Sequence, residues 1–295
     1  MRRFERLEHI LSLDPDYDCE AIYRLLAEYE FPWDIAKALE LALFRTYAVP
    51  SIGRLLDRTG EFRLRPQRRY DDTLLLLYEI FHAGPTGPHG QRALDRLNTI
   101  HGRYRISMDD YRYTLATFVV MPVRWIREFG WRDLHPHEVR AVTNAMRRMG
   151  EGMRITEIPE TYAQFEELLD DYERAHFQQD AGGRRVADAT LDLFASWYPK
   201  PAAPLVPGVA RTLMDPHLLR AFGYRLPAAA SARVARWALR ARAGLLRVGP
   251  VRPDSRPVQP DPTLSYPDGY RIEDLGPGPH RKRERQEGAR CPVAN

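Results

Sequence analysis

Apolar residues recur along this chain at three- and four-residue intervals, and that period allows burial on one side of successive helices and on little else. Ile35, Ala38, Leu39, Ala42 and Leu43 form one such stripe behind Asp34, which reads as a helix cap. A second helix is predicted from near residue 70 through Leu74, Leu77, Tyr78 and Phe81, with Gly84 and Pro85 as its stop. Over residues 91–104, Leu94, Leu97, His101 and Tyr104 share one face, so His101 points inward as a polar group in need of a partner. Ser107 with Asp110 resembles a capping box ahead of Tyr111, Leu115, Phe118 and Val119, a helix that Pro122 kinks or ends before Trp125 and Ile126 continue the pattern. Pro136 suits the first turn of a helix closed by Gly150, and residues 162–177 and 186–197 repeat the amphipathic pattern. Strand alternation is scarce and no solenoid period occurs, so the expectation is a single all-α domain over residues 1–249.

Composition matters mainly at the C-terminus. Residues 250–295 are rich in proline, poor in aliphatic runs and carry Arg281, Lys282, Arg283 and Arg285, which reads as a disordered tail. The formal charge of +4 is a near balance of 44 basic and 40 acidic residues, and gives no reason to expect a nucleic-acid partner. Two cysteines, Cys19 and Cys291, supply neither a disulfide framework nor a zinc cluster. Glu5, Arg6 and Glu8 stand where a secretory segment would have its apolar core, so the expected location is the cytoplasm. The longest apolar stretches, 73–81 and 115–123, fall well short of the ~20 residues a bilayer span requires.

The chain contains no phosphate loop, nucleophile elbow, zinc-helix signature or dinucleotide fingerprint. What remains is His101 on an apolar helix, with Arg68, Arg69 and Thr73 at the start of the preceding one; periodicity leaves a metal ligand and a hydrogen-bonded core histidine both open. His82 with His89 and His135 with His137 lack the carboxylate or thiolate that would complete a metal site. The pairs Asp71–Asp72 and Asp170–Asp171 read as solvated or capping acids. Residues 232–248 read as a basic amphipathic helix, with Arg233, Arg236, Arg240 and Arg247 on one side and Val234, Trp237, Ala238 and Leu245 around the other. Such a helix can make a peripheral membrane contact or pack on the domain with its arginines in water.

Arg69 and Thr73, the run Asn98-Thr99-Ile100-His101-Gly102-Arg103-Tyr104-Arg105-Ile106, the stretches 109–115 and 122–125, and residues 153–159 together resemble the family of rubber oxygenases and mycophenolate-pathway MpaB oxygenases, over about residues 30–180. The resemblance implies an all-α fold with a globin-like core and haem b, with His101 as axial ligand to its iron. It implies that Arg69, Thr73 and Arg105 lie around the cofactor and support activity, the arginines pairing with propionates or stabilising an anionic oxygen species. Its substrates would be O2 and a lipophilic small molecule such as an isoprenoid-like alkene, with Leu94, Leu97, Phe118 and Trp125 as pocket walls or, equally, core residues. Rubber-cleaving members carry a lysine just before the matching threonine; here that residue is Asp72, which argues against a distal lysine ligand and, with the missing secretion signal, against polymer outside the cell. A non-catalytic helical protein docking on membranes or partners, and a haem carrier or gas sensor, are the competing expectations.

Overall fold

The computed structural model describes residues 3–260 and 262–277, and all structural statements refer to these. The chain opens with α1 (Glu5–Ser12) and α2 (Cys19–Leu25), passes through a wide turn at Leu26–Glu30, and continues as α3 (Pro32–Thr46), α4 (Pro50–Thr59) and the short α5 (Glu61–Leu64). Next come α6 (Pro66–Ala83), α7 (Pro88–His101), α8 (Met108–Phe129) and α9 (Pro136–Gly152), then α10 (Tyr162–His176), α11 (Ala181–Ser196), α12 (Val206–Thr212), α13 (Pro216–Ala221) and α14 (Ala229–Val248). No strand occurs among the described residues, and the protein is all-α as the period predicts.

Proline occupies the first turn of α3, α4, α6, α7 and α9, where its missing N–H leaves nothing unsatisfied. Ser107 caps α8 as expected, its Oγ accepting from the Asp110 amide at 3.0 Å. Pro122 does not end that helix, which runs on to Phe129. Several boundaries differ from the sequence reading: α6 begins at Pro66, α7 runs from Pro88 to His101 rather than over 91–104, and α11 begins at Ala181 rather than near residue 186. Asp34 is not a cap. It lies inside the first turn of α3, buried, accepting from Trp125 Nε1 at 3.2 Å and Arg242 Nη1 at 3.0 Å.

Helix α8 is buried around most of its circumference and forms the axis of the core, with α3, α9, α10 and α14 packed about it. A buried network fixes three of these helices: the Arg45 guanidinium of α3 pairs with Glu173 of α10, which also accepts from Tyr113 of α8 at 3.1 Å. A smaller core joins Phe44 and Tyr47 to Val186 and Leu191 of α11 and Leu218 of α13. Helices α4 and α11 meet glycine to glycine; a Cβ on Gly183 would stand 2.2 Å from the Tyr47 carbonyl oxygen.

Packing also continues past residue 249, where the domain was expected to end. Tyr266, Ile272 and Leu275 are buried in the main core, and residues 262–277 lie across α6 and α7 as a strap. These side chains are apolar or aromatic at spacings that a proline-rich composition obscures. The basic block at 281–285 and Cys291 lie outside the described residues, whereas Cys19 is a buried free thiol.

Candidate active site

His101 is the last residue of α7. Its helix is held from two sides: Asn98 Nδ2 donates to the Gly152 carbonyl at 3.0 Å and Leu94 fills the space over Gly152, while Arg96 Nε donates to the Leu275 carbonyl of the strap at 2.8 Å. The imidazole is half-buried and meets Tyr111 edge-on, with ring centroids 5.8 Å apart. Its Nδ1 is shielded from solvent and has no hydrogen-bond partner. Burial, aided by the nearby positive charge of Arg69, lowers the ring pKa from 6.5 to about 4, so the imidazole is neutral at physiological pH.

Arg69 and Thr73 sit one turn apart on α6. The guanidinium of Arg69 donates to Thr73 Oγ1, which donates in turn to the Arg69 carbonyl at 3.0 Å, and it lies over the Phe62 ring at 5.4 Å. The fold therefore brings Arg69 with Thr73 into the electrostatic neighbourhood of His101. Arg105 is placed differently. Because α7 stops at His101, Arg105 is exposed in the loop leading to α8 and is not one helical turn beyond the histidine on the same face. Leu94, Phe118 and Trp125 are buried in the main core, and Leu97 packs against it.

The acids beside this site are not solvated. Asp71 and Asp72 are buried: Asp71 accepts from Gln67 Nε2 and the Ser265 amide, each at 2.9 Å, and Asp72 accepts from the Tyr266 hydroxyl. Arg68 lies over the Tyr266 ring at 5.3 Å with its Nε unpartnered. Asp72 is thus one anchor of the strap, and burial with that carboxylate contact raises the Tyr266 pKa. Sequence patterning missed this because the partners are 194 positions apart.

The other sequence candidates have local roles. His82 Nδ1 is 2.6 Å from Glu28 and His89 Nε2 is 2.7 Å from Glu79, so the two histidines hydrogen-bond separate carboxylates. His135 caps α9 by accepting from the His137 amide at 3.2 Å. Asp170 pairs with Arg124, and Asp171 with Arg174. No three His, Cys, Asp or Glu side chains gather into a metal-binding group among the described residues, which leaves a multi-carboxylate or zinc centre without a donor set there.

Fold and site together define an all-helical protein built around one neutral, half-buried imidazole with a guanidinium–threonine pair beside it. The chain belongs to the family described as ER-bound oxygenase mpaB/B'/Rubber oxygenase, catalytic domain, whose pattern matches residues 35–244. It is 30% identical over 258 residues to the ER-bound oxygenase mpaB' of Penicillium brevicompactum, an alignment covering 81% of this chain and 61% of that protein. It is 32% identical over 206 residues to the ER-bound oxygenase mpaB of the same organism, covering 63% and 52%. To the ER-bound oxygenase mpaB of Penicillium roqueforti (strain FM164) it is 31% identical over 228 residues, covering 71% and 76%. The chain thus spans about three fifths or less of the length of the two Penicillium brevicompactum relatives.

Proposed function

We propose that this chain is a haem b-dependent oxygenase that acts with O2 on a lipophilic small molecule, an isoprenoid-like alkene being the form that the resemblance implies. The observation that carries this reading is the His101 ring: burial holds it neutral, so that it keeps a lone pair for a metal, and its solvent-shielded Nδ1 engages no protein partner. A core histidine kept only for packing would be expected to satisfy that nitrogen.

The residues fit the group. His101 would offer its imidazole to the iron, and Arg69 beside it would offer a cation suited to a propionate or to an anionic oxygen species, whereas Arg105 is exposed in the loop after α7 and could meet the cofactor only from the solvent side. When bound, haem supplies the redox chemistry with O2; the protein supplies position and field. Thr73 fixes the Arg69 head, and Tyr111 packs edge-on with the His101 ring. The setting of this reaction is cytoplasmic with peripheral membrane contact through residues 232–248, in keeping with relatives called ER-bound; no helix among the described residues is long and apolar enough to cross a membrane.

Oxygen uptake by the haem-reconstituted protein, presented with a panel of isoprenoid alkenes, tests the reading. Uptake that depends on one of the alkenes and falls at least tenfold in Arg69→Gln supports it. Stoichiometric haem with no uptake on any alkene would make the protein a carrier or sensor.

A further inference from the structure

Helix α14 carries apolar residues on the side that faces solvent. Val234, Trp237, Leu245 and Val248 are 65%, 70%, 72% and 84% exposed, and their spacings of three, eight and three residues align them on one strip. Arg233, Arg240 and Arg247, each exposed and seven residues apart, follow one edge of that strip. The sequence reading set the arginines against the apolar residues and left open a membrane contact or packing on the domain with the arginines in water. In the structure the side packed on the domain is Leu239 and the buried Ala243, flanked by arginines that turn inward. Arg236 pairs with Glu128 of α8; Arg242 donates to Asp34 at 3.0 Å and stacks over Trp33 at 3.9 Å. Rolling α14 to hide the strip would break both attachments, so the strip is held outward.

Beside it, a hollow of about 580 Å³ is lined by Arg124, Arg127, Glu128 and Arg240. Arg127 forms no ion pair among the described residues, and Arg240 approaches only Glu128, at 3.4 Å, an acid that Arg236 already holds. The hollow and the arginine edge therefore present positive charge beyond what their neighbours neutralise. A raised apolar strip with a positive margin is complementary to a plane that is apolar beneath and anionic at its surface.

We propose that α14 seats this protein on an anionic phospholipid bilayer, with Val234, Trp237, Leu245 and Val248 entering the boundary between headgroups and acyl chains and Arg233, Arg240, Arg247 and the hollow engaging lipid phosphates. Tryptophan suits that depth, because its ring is apolar and its N–H is not. A second copy of the chain is a poorer occupant, since a two-fold contact through the strip would bring like-charged arginine rows together. The chain's own residues 278–295 are a poorer one too, carrying Arg281, Lys282, Arg283, Arg285 and Arg290 against two glutamates. The inference deepens the membrane contact proposed above and does not rest on haem.

Flotation of the full chain without added haem, on vesicles of phosphatidylcholine with or without phosphatidylserine, is the test. The expected result is binding to the anionic vesicles that weakens at least about tenfold in the double variant Trp237→Ser with Leu245→Ser, since each buried side chain of this size is worth about a factor of ten. The triple variant Arg233→Gln, Arg240→Gln and Arg247→Gln should bind anionic vesicles no better than neutral ones, and salt should weaken the wild type. All five positions are exposed, so circular dichroism should show unchanged helicity; quenching of wild-type indole fluorescence by brominated lipid provides a readout that needs no variant. Three results would overturn the proposal: no binding to either vesicle, binding that all variants keep but deletion of residues 278–295 abolishes, or a dimer whose formation the double variant prevents while vesicles bind nothing. Any of these leaves the haem reading to be judged by its own titration.

Discussion

The imidazole of His101 experiences two opposed fields. Its place at the C-terminal end of α7 favours the protonated ring, while burial and the Arg69 charge disfavour it, and the second pair prevails. With a folded pKa of about 4 against an ordinary 6.5, the unfolded chain takes up a proton in that interval that the folded chain refuses. The neutral ring's contribution to stability is therefore complete above about pH 6.5 and is lost as pH falls from there toward 4. Proton NMR of the cofactor-free protein should show this ring still unprotonated at pH 5.5; a midpoint near 6.5 would mean the ring is hydrated. That His101 faces inward was readable from its spacing with Leu94 and Leu97. Its unpartnered Nδ1 was not, because a missing partner is a property of everything packed around the ring.

Among the elements, the helices themselves were readable and their ends less so. Proline at the first turn marked Pro136 and Ser107 marked α8, both local effects that need no tertiary context. Asp34 misled because a capping residue type also serves as a buried acceptor once Trp125 and Arg242 are close, and burial then raises its pKa. Close approach of α4 and α11 is likewise invisible until both helices are in place. Gly183→Ala should cost about 1–3 kcal/mol in urea unfolding, because its Cβ would meet the Tyr47 carbonyl, which belongs to the backbone and cannot swing aside. A neutral substitution would show that α4 and α11 are further apart than described. The outward strip of α14 shows the same limit, since amphipathicity identifies two faces without saying which one is packed.

At the scale of the whole molecule, the strap of residues 262–277 ties together the two helices that carry Arg69, Thr73 and His101. Ser265 and Tyr266 hold α6 through Asp71 and Asp72, while the Leu275 and Pro277 carbonyls accept from Arg96 and Arg103. A chain ending at residue 260 should be less stable than one ending at 277. Tyr266→Phe in the full chain should lose about 1–3 kcal/mol by denaturant unfolding, because it strands the buried Asp72 carboxylate. Equal stability of the two truncations would mean the strap is not part of the folded unit. Proline-rich composition hid this segment, whose few buried side chains are recognisable only by where they land. The central claim, that His101 is the iron ligand of a haem site, is tested most directly by titrating haem into wild type and His101→Ala, following the Soret band with helicity checked in both. The account predicts a saturable band at one haem per chain in the wild type that shifts or disappears in the variant. Wild-type protein that stays colourless, or a variant that binds haem with an identical spectrum, would contradict it.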